Sequence, residues 1–122
     1  MNSSGEMLWQ FEGGGSALNV LIDDGSVYFA SNSGYVYKID PSTGKLFWQT
    51  KFDKASTTNP VMLDGMLIFG TYTGSLYVVN PKNGEINWRY NLSSDIRGNL
   101  EVFDERLFVI SSRGDLFILE KR

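Results

Sequence analysis

The sequence predicts an all-β fold made of three similar units, because the same residues recur at a period of 40. An Asn, an Asp and a Gly each return at this spacing, and a Gly-x-x-x-Trp motif returns at almost the same spacing. Aromatic residues make up 14% of the chain and 13 of its 122 residues are Gly, which suits short strands joined by tight turns. Repetition at this length is typical of solenoids, propellers and arrays. The recurring residues are Asn19, Asn59 and Asn99; Asp24, Asp64 and Asp104; Gly34, Gly74 and Gly114; and Trp9, Trp48 and Trp88.

The unit from residue 44 to 83 shows the plan most clearly, with four short apolar runs separated by turn signals. Asp64-Gly65, between the second and third runs, is a strong signal for a two-residue hairpin. The third unit has Asp104-Glu105 at the matching position, so we expect its turn to be looser or of another type. No stretch carries a sustained helical period. The four runs span residues 46–50, 60–63, 66–70 and 75–79.

Four-stranded units of about 40 residues are typical of the blades of a β-propeller. We place three such units, at about residues 5–43, 44–83 and 84–122, in a single domain that covers residues 1–122. A parallel β-helix would have shorter coils. A sandwich would not place the same Trp and Gly at one period. The sequence therefore predicts propeller blades.

The order of strands at the two ends of the repeat array predicts an oligomer. A propeller needs about four to eight blades to close, and an open one exposes a strand edge at each end. Residues 7–12 carry the Trp of an outer strand yet come first, whereas the last unit stops at its third strand. We expect residues 7–12 to complete the last blade of a partner chain in a six-bladed, two-fold homodimer. The alternative is a fragment of a larger propeller.

Composition and charge exclude several classes of protein. The net charge is −3 and no basic block is present, which argues against nucleic-acid binding. No apolar run approaches the roughly 18 residues of a membrane span, so no membrane insertion is expected. The N-terminus shows no signal peptide. The absence of Cys does not decide the compartment, and both a cytoplasmic protein and a mature or excised piece of an exported one stay open.

The residues between the units resemble a known family, the quinoprotein-type propeller repeat. Its signature is Asp, two free positions, Thr-Gly-Lys, two free positions and Trp, which Asp40 to Trp48 match. Asn80 to Trp88 align with it in degraded form, and Gly5 to Trp9 keep its second half. The family includes quinone-dependent alcohol dehydrogenases and a non-enzymatic outer-membrane-assembly lipoprotein, and this chain is more similar to the second type. That resemblance implies a periplasmic or other extracytoplasmic parent protein.

The resemblance also implies a role for the repeated Trp, which docks in the family between neighbouring blades, near the Gly of the motif. Burying a Trp removes about 150–250 Å² from water, and a Gly beside it permits close approach of the backbone. We therefore interpret these residues as structural docking groups, in preference to ligand-stacking groups. They are Trp9, Trp48, Trp88, Gly44 and Gly84.

No catalytic residue, cofactor or metal site is predicted. For a dehydrogenase of this family, the resemblance implies a quinone bound in a complete eight-bladed ring. It also implies a calcium ion, an Asp that acts as a base and an adjacent pair of cysteines over the cofactor. This chain has no Cys and no His, which excludes that pair, nucleophile systems that need His, and typical zinc sites. Calcium stays chemically open because carboxylates are plentiful. The paired Asp23-Asp24 is better explained by turn chemistry beside Gly25.

Two polar sets are candidates for binding. Asn19, Asn59 and Asn99 begin the innermost strands. There they either satisfy local backbone groups near the central channel or line a channel for a small polar ligand, and their exact recurrence favours the first interpretation. The loops between outer and inner strands differ among units, and variable loops on a rigid frame are where binding usually occurs. Their polar candidates, which are otherwise ordinary solvated charges, are Asp53, Lys54, Asp95 and Arg97.

We therefore expect a non-catalytic binding or scaffold module that presents its loops to a protein or a small ligand. One alternative is a piece of a dehydrogenase that depends on pyrroloquinoline quinone, which a bound quinone chromophore in the presence of calcium would reveal. Another is a sensor segment of a larger membrane receptor.

Overall fold

The computed structural model describes residues 5–15, 20–96 and 99–120, which contain eleven β-strands and no helix. The strands form three antiparallel sheets that follow one another along the chain. The first sheet, blade 1, contains β1 (Leu21–Asp23), β2 (Ser26–Ser31), β3 (Tyr35–Ile39) and β4 (Leu46–Lys51). Blade 2 contains β5 (Val61–Leu63), β6 (Met66–Gly70), β7 (Ser75–Val79) and β8 (Ile86–Asn91). Blade 3 contains β9 (Glu101–Phe103), β10 (Arg106–Ile110) and β11 (Leu116–Glu120).

Each blade is a meander in which every strand pairs with its neighbour in sequence. The all-β fold and the strand runs predicted for the central unit are confirmed. Blades 1 and 2 have four strands, whereas blade 3 has three within the described residues. There β11 pairs with β10 only, and its other edge faces no described strand. Closure of the ring by a second copy stays a prediction.

The turns between the first two strands of the blades correct one expectation. Asp104-Glu105 forms the same two-residue turn as Asp64-Gly65, since Phe103 pairs with Arg106 as Leu63 pairs with Met66. Both residues of the third turn have positive φ, 54° for Asp104 and 58° for Glu105. The prediction of a looser turn was therefore wrong. The strand pairing on either side imposes the left-handed conformation, and Glu105 adopts it although it has a Cβ.

Two apolar clusters lie between the blades and join them. The cluster between blades 1 and 2 is rich in aromatic residues; the ring of Phe52 lies 4.9 Å from that of Phe69 and 5.6 Å from that of Tyr77. The cluster between blades 2 and 3 is aliphatic, and includes Ile96 and Leu107. We call these two contacts the first seam and the second seam.

The described part of the chain contains no helix that could span a membrane.

Residues 5–15 lie against blade 1 without forming a strand. Phe11 makes edge-on ring contacts with Phe29 and Tyr37, at 6.2 and 5.1 Å. The Tyr37 hydroxyl donates a hydrogen bond to the carbonyl of Gly13. This N-terminal segment therefore packs on the blade that follows it in the chain. A strand at residues 7–12, paired with another chain, stays a prediction.

Candidate functional site

The outer end of the first seam is made by Trp48 of β4 resting on the turn that precedes β8. The Trp48 indole nitrogen donates a hydrogen bond of 2.9 Å to the carbonyl of Pro81. Gly84 has φ +79°, and a Cβ placed on it would lie 2.7 Å from the Trp48 ring. The Lys38 ammonium donates to the same carbonyl at 2.9 Å. Gly84 therefore has two roles: it adopts the left-handed backbone conformation, and its lack of a Cβ allows direct contact with the aromatic ring.

The N-terminal segment repeats this arrangement on blade 1. The Trp9 indole nitrogen donates to the carbonyl of Pro41 at 2.6 Å. A Cβ on Gly44, whose φ is +76°, would lie 2.7 Å from the Trp9 ring. Trp9 thus occupies the position on blade 1 that Trp48 occupies on blade 2, although it belongs to no sheet.

The third Trp lies in a different environment. Trp88 is 62% exposed and has no such contact among the described residues. It borders an open groove of about 540 Å³ between blades 2 and 3. The groove is mostly apolar, with Leu76 and Val78 on one side and Leu107 and Leu119 on the other. The second seam is therefore packed at its centre and open beside Trp88.

The two recurring Asn residues that the structure describes, Asn59 and Asn99, lie in different environments. Asn59 joins the inner ends of blades 2 and 3: its side-chain nitrogen donates to the Leu100 carbonyl at 3.0 Å, and its side-chain oxygen accepts from the Leu100 amide at 2.8 Å. This pair of bonds satisfies the backbone of the adjacent blade, which is more distant than the local backbone we expected. Asn99 is exposed. Asn19 lies outside the described residues.

The loop between β4 and β5 places a charged cluster at one end of the blades. Asp53 forms an ion pair of 3.0 Å with Arg89 of β8 and accepts a hydrogen bond of 3.3 Å from the Tyr77 hydroxyl. The Arg89 guanidinium also lies 5.5 Å from the centre of the Tyr77 ring and donates to Ser75 at 3.2 Å. Burial raises the pKa of the Tyr77 phenol above its usual value, which keeps the hydroxyl protonated as a donor.

Two other predicted loop residues, Lys54 and Asp95, lie among the residues that the structure describes. Lys54 follows Asp53 and is exposed. Asp95 is exposed on the next loop, where its carbonyl accepts from the Ser112 amide at 2.8 Å. Arg97 lies outside the described residues. The loops between β4 and β5 and between β8 and β9 lie at the same end of the blades, because the strands alternate in direction.

Sequence reasoning missed two members of the cluster. Arg89 directly follows a repeated Trp, and Tyr77 lies in a strand that we interpreted as structural. The position in blade 1 that corresponds to Arg89 holds Gln49. This difference between the repeats is the sequence signal that could have identified Arg89. Among the described residues, no group of three or more acidic, His or Cys side chains is arranged to hold a metal ion.

Antiparallel four-stranded blades, docked through a Trp that contacts the next blade's turn, define the class of protein: a β-propeller built from quinoprotein-like repeats. The chain belongs to the family described as outer membrane protein assembly factor BamB, whose family model matches residues 1–122. The predicted resemblance to the assembly type of this repeat is confirmed.

Solved structures show the same fold. BamB from Moraxella catarrhalis is 23% identical, with a TM-score of 0.75 over 84% of this chain and 30% of that protein. The WD40 β-propeller domain of Doa1 is 17% identical, with a TM-score of 0.77 over 87% of this chain and 37% of that one. The computationally designed Ika8 protein is 14% identical, with a TM-score of 0.74 over 86% and 33%. The chain thus spans about a third of the length of these propellers. No curated protein matches it.

Proposed function

We propose that this chain is a non-catalytic scaffold module that binds protein partners through the loop end of its blades. The observation that carries the proposal is the Asp53 cluster. Its Asp53 and Arg89 side chains are more than half exposed, yet a buried tyrosine and a hydrogen-bonded frame hold them in place. Exposed charges on a rigid frame suit the recognition of a complementary protein surface.

The family match gives the proposal its direction. Its description as an outer membrane protein assembly factor supports a role in assembling outer-membrane proteins, outside the cytoplasm. The absence of Cys and His from the sequence supports a role without nucleophilic catalysis by those side chains. A bound protein, rather than a small molecule, is favoured because the Asp53 cluster lies at the exposed end of the blades.

We further propose that the chain pairs with a second copy. Two copies supply six blades, which lies within the usual range for closed propellers. A two-fold pair would place two equivalent loop surfaces on one ring, because a closed dimer repeats each surface patch.

A photo-crosslinking amino acid at Lys54 tests the loop surface. Lys82, exposed in the turn between β7 and β8 at the opposite end of the blades, provides the matched control. We expect crosslinks from position 54 to outer-membrane protein chains or their assembly partners in intact cells, and several-fold fewer from position 82. Charge reversal by Asp53→Lys should reduce the crosslinks from position 54. Equal labelling from both ends would contradict the proposal, as would a quinone chromophore bound by the purified protein in calcium.

A further inference from the structure

The outer strand of blade 1 leaves one of its edges unpaired. β4 pairs with β3 along one edge, and its other edge faces no described strand. Blade 1 is covered on one face by residues 5–15, through Trp9 and Phe11, and on the other face by blade 2. The edge of β4 is therefore open in a blade whose two faces are both packed.

The hydrogen bonds of blade 1 show which backbone groups of β4 point outward. The Phe52 amide donates to the Gly34 carbonyl at 2.8 Å, and these two residues continue the register of β4 and β3 by one position. Bonded and unbonded positions alternate along an antiparallel pair, so Thr50 is bonded to β3 whereas Gln49 and Lys51 are not. The N–H and C=O groups of Gln49 and Lys51 therefore point toward the open edge, where they offer donors and acceptors to another strand.

The side chains of β4 do little to block this edge. Natural sheet edges are commonly blunted by Pro, by a bulge or by charged side chains. β4 contains no Pro, and its one charged residue, Lys51, is its last. Its register shift against β3 falls near its start, between Lys38 and Ile39 of β3. Leu46 and Phe47 are 41% and 55% exposed, so apolar side chains stand beside an open backbone, as in strands that accept another strand.

The charges around the edge favour an acidic occupant. Lys45 directly precedes β4 and Lys51 ends it, and both are exposed. No acidic residue lies between them in the sequence. The position before β8 that corresponds to Lys45 holds Glu85, so the outer strand of blade 2 lacks this pair of like charges. A strand that lies along β4 with acidic residues near its two ends would be attracted at both.

The open edge is continuous with the loop surface proposed above. β4 ends two residues before Asp53, whose cluster carries the proposed function. Lys54, the next residue, packs beside the turn at Gly34, where an added Cβ would lie 3.3 Å from the Lys54 side chain. A polypeptide bound along β4 therefore leads directly to the loop end of the first seam.

We propose that an extended segment of a protein partner, with acidic residues near its two ends, adds to blade 1 as a fifth strand along β4. The added strand exchanges main-chain hydrogen bonds with Gln49 and Lys51, which is the chemistry of recognition by strand addition. This inference rests on the proposed function and specifies the form of the partner: the loop surface recruits an unpaired strand rather than a closed folded surface.

A synthetic peptide with blocked termini tests the edge. The probe has about seven residues, which alternate between valine and threonine and finish with a glutamate at each end. We expect it to bind the full chain at millimolar or lower concentration and to protect the Gln49 and Lys51 amides from hydrogen exchange. The Thr50 amide, already bonded to β3, should change less. A matched peptide with a lysine at each end should bind several-fold more weakly, because its ends meet Lys45 and Lys51.

Two substitutions at one position separate the backbone from the side chain. Gln49→Pro removes an outward-pointing amide and places the proline ring on the open edge, so it should weaken binding of the glutamate peptide at least about ten-fold. Gln49→Ala keeps the amide and should change binding by less than about two-fold. Circular dichroism of both variants checks that the sheets are intact. If Gln49→Pro does not fold, the exchange measurement on the unmodified chain decides the question.

The outcomes separate the strand addition from the proposed function. No binding of the glutamate peptide at millimolar concentration would overturn the strand addition, and so would equal binding by the two variants or protection confined to residues outside β4. The loop surface is tested independently by the crosslinks from position 54. If those crosslinks persist while the strand addition fails, the partner binds the loops without adding a strand. If the peptide binds as expected and position 54 gives no crosslinks, the loop surface is wrong and the edge of β4 stands.

Discussion

The two seams of this molecule are built from the same repeat, but they differ in how far the repeated Trp is covered. In the first seam, Trp48 is covered by the turn at Gly84 and bonded to Pro81. In the second, Trp88 occupies the same place in the repeat and is 62% exposed. The motif around a Trp therefore does not decide whether that Trp is buried. The left-handed turn of the following blade decides it.

The seams differ in their chemistry as well. The first has a core of aromatic rings, and Lys38 closes its outer end by donating to the Pro81 carbonyl. The second has an aliphatic core, and Val78 stands in the position of Lys38. Val78 lines the open groove. The first seam is therefore closed at its outer end, whereas the second leaves apolar side chains along an open groove.

Single substitutions of Trp48 and Trp88 by Ala should give the largest difference in stability between the two seams. We expect Trp48→Ala to lower the free energy of unfolding by about 3–5 kcal/mol, because it empties a packed site and leaves the Pro81 carbonyl without its indole donor. Trp88→Ala should cost less than about 1 kcal/mol at concentrations where the chain is monomeric. Urea unfolding followed by circular dichroism measures both. Equal costs would show that the second seam is as closed as the first.

The Asn contact at the inner ends offers the next comparison. Asn59→Ala should destabilise the chain by about 2 kcal/mol, since it leaves both backbone groups of the buried Leu100 unpaired. Asn99→Ala, at an exposed residue, should change the stability of the monomer by less than about 0.5 kcal/mol. Chemical denaturation at low protein concentration tests the pair. A large effect at Asn99 would show that this residue makes a contact comparable to that of Asn59.

The turn at Glu105 allows a stabilising change at the open seam. Glu105→Gly should raise the free energy of unfolding by about 1 kcal/mol, because Gly adopts φ +58° without steric cost. The control is Gly65→Glu in the equivalent turn of blade 2, which should lower stability by a similar amount. Thermal denaturation reports both values. A loss of stability on Glu105→Gly would imply that the Glu side chain makes a contact worth more than the strain.

High pH should loosen the first seam before the second. Burial raises the pKa of both Tyr28 and Tyr77 above the value of about 10 in the unfolded chain. The folded state therefore holds these protons more tightly. The contribution of these two tyrosines to the stability of the folded state is fully present below about pH 10. It is lost as the pH rises through their raised pKa values. The effect is the smallest of the four, and amide hydrogen exchange at β2 and β7 compared with β10 would detect it.

A variant supplies the control for the pH experiment. The double substitution Tyr28→Phe with Tyr77→Phe removes both titrating groups, so the stability of the variant should decline less steeply above pH 10. The second seam has no Tyr among its buried residues. An equally steep decline in the double variant would assign the alkaline loss to other groups.

Much of the architecture could be predicted from the sequence, because its signals are local and repeated three times. Short apolar runs and Asp-Gly turns identify strands such as β6 and β7 without reference to the rest of the chain. The turn at Asp104-Glu105 could not be predicted in this way. Pairing of the flanking strands overrode the preference of a non-Gly residue for negative φ, and that pairing is a property of the whole sheet.

The candidate site divides along the same line. Variable loops directed attention to Asp53, but its partners Arg89 and Tyr77 come from two strands more than 20 residues away. No local pattern connects such positions, since the contact depends on how blade 2 packs on the loop. Asn59 was recognised as a recurring polar residue, and its acceptor and donor on Leu100 became visible only when two blades stood side by side.

The sequence by itself determined the repeat, the propeller class and the family, because these depend on residue spacing along the chain. The tertiary structure alone decided which copies of the repeat are satisfied. Trp9 and Trp48 each meet a Gly turn supplied by a later blade, whereas Trp88 borders an open groove. The physical reason is that a Trp is buried by its neighbour in space, and identical motifs need not have the same neighbour.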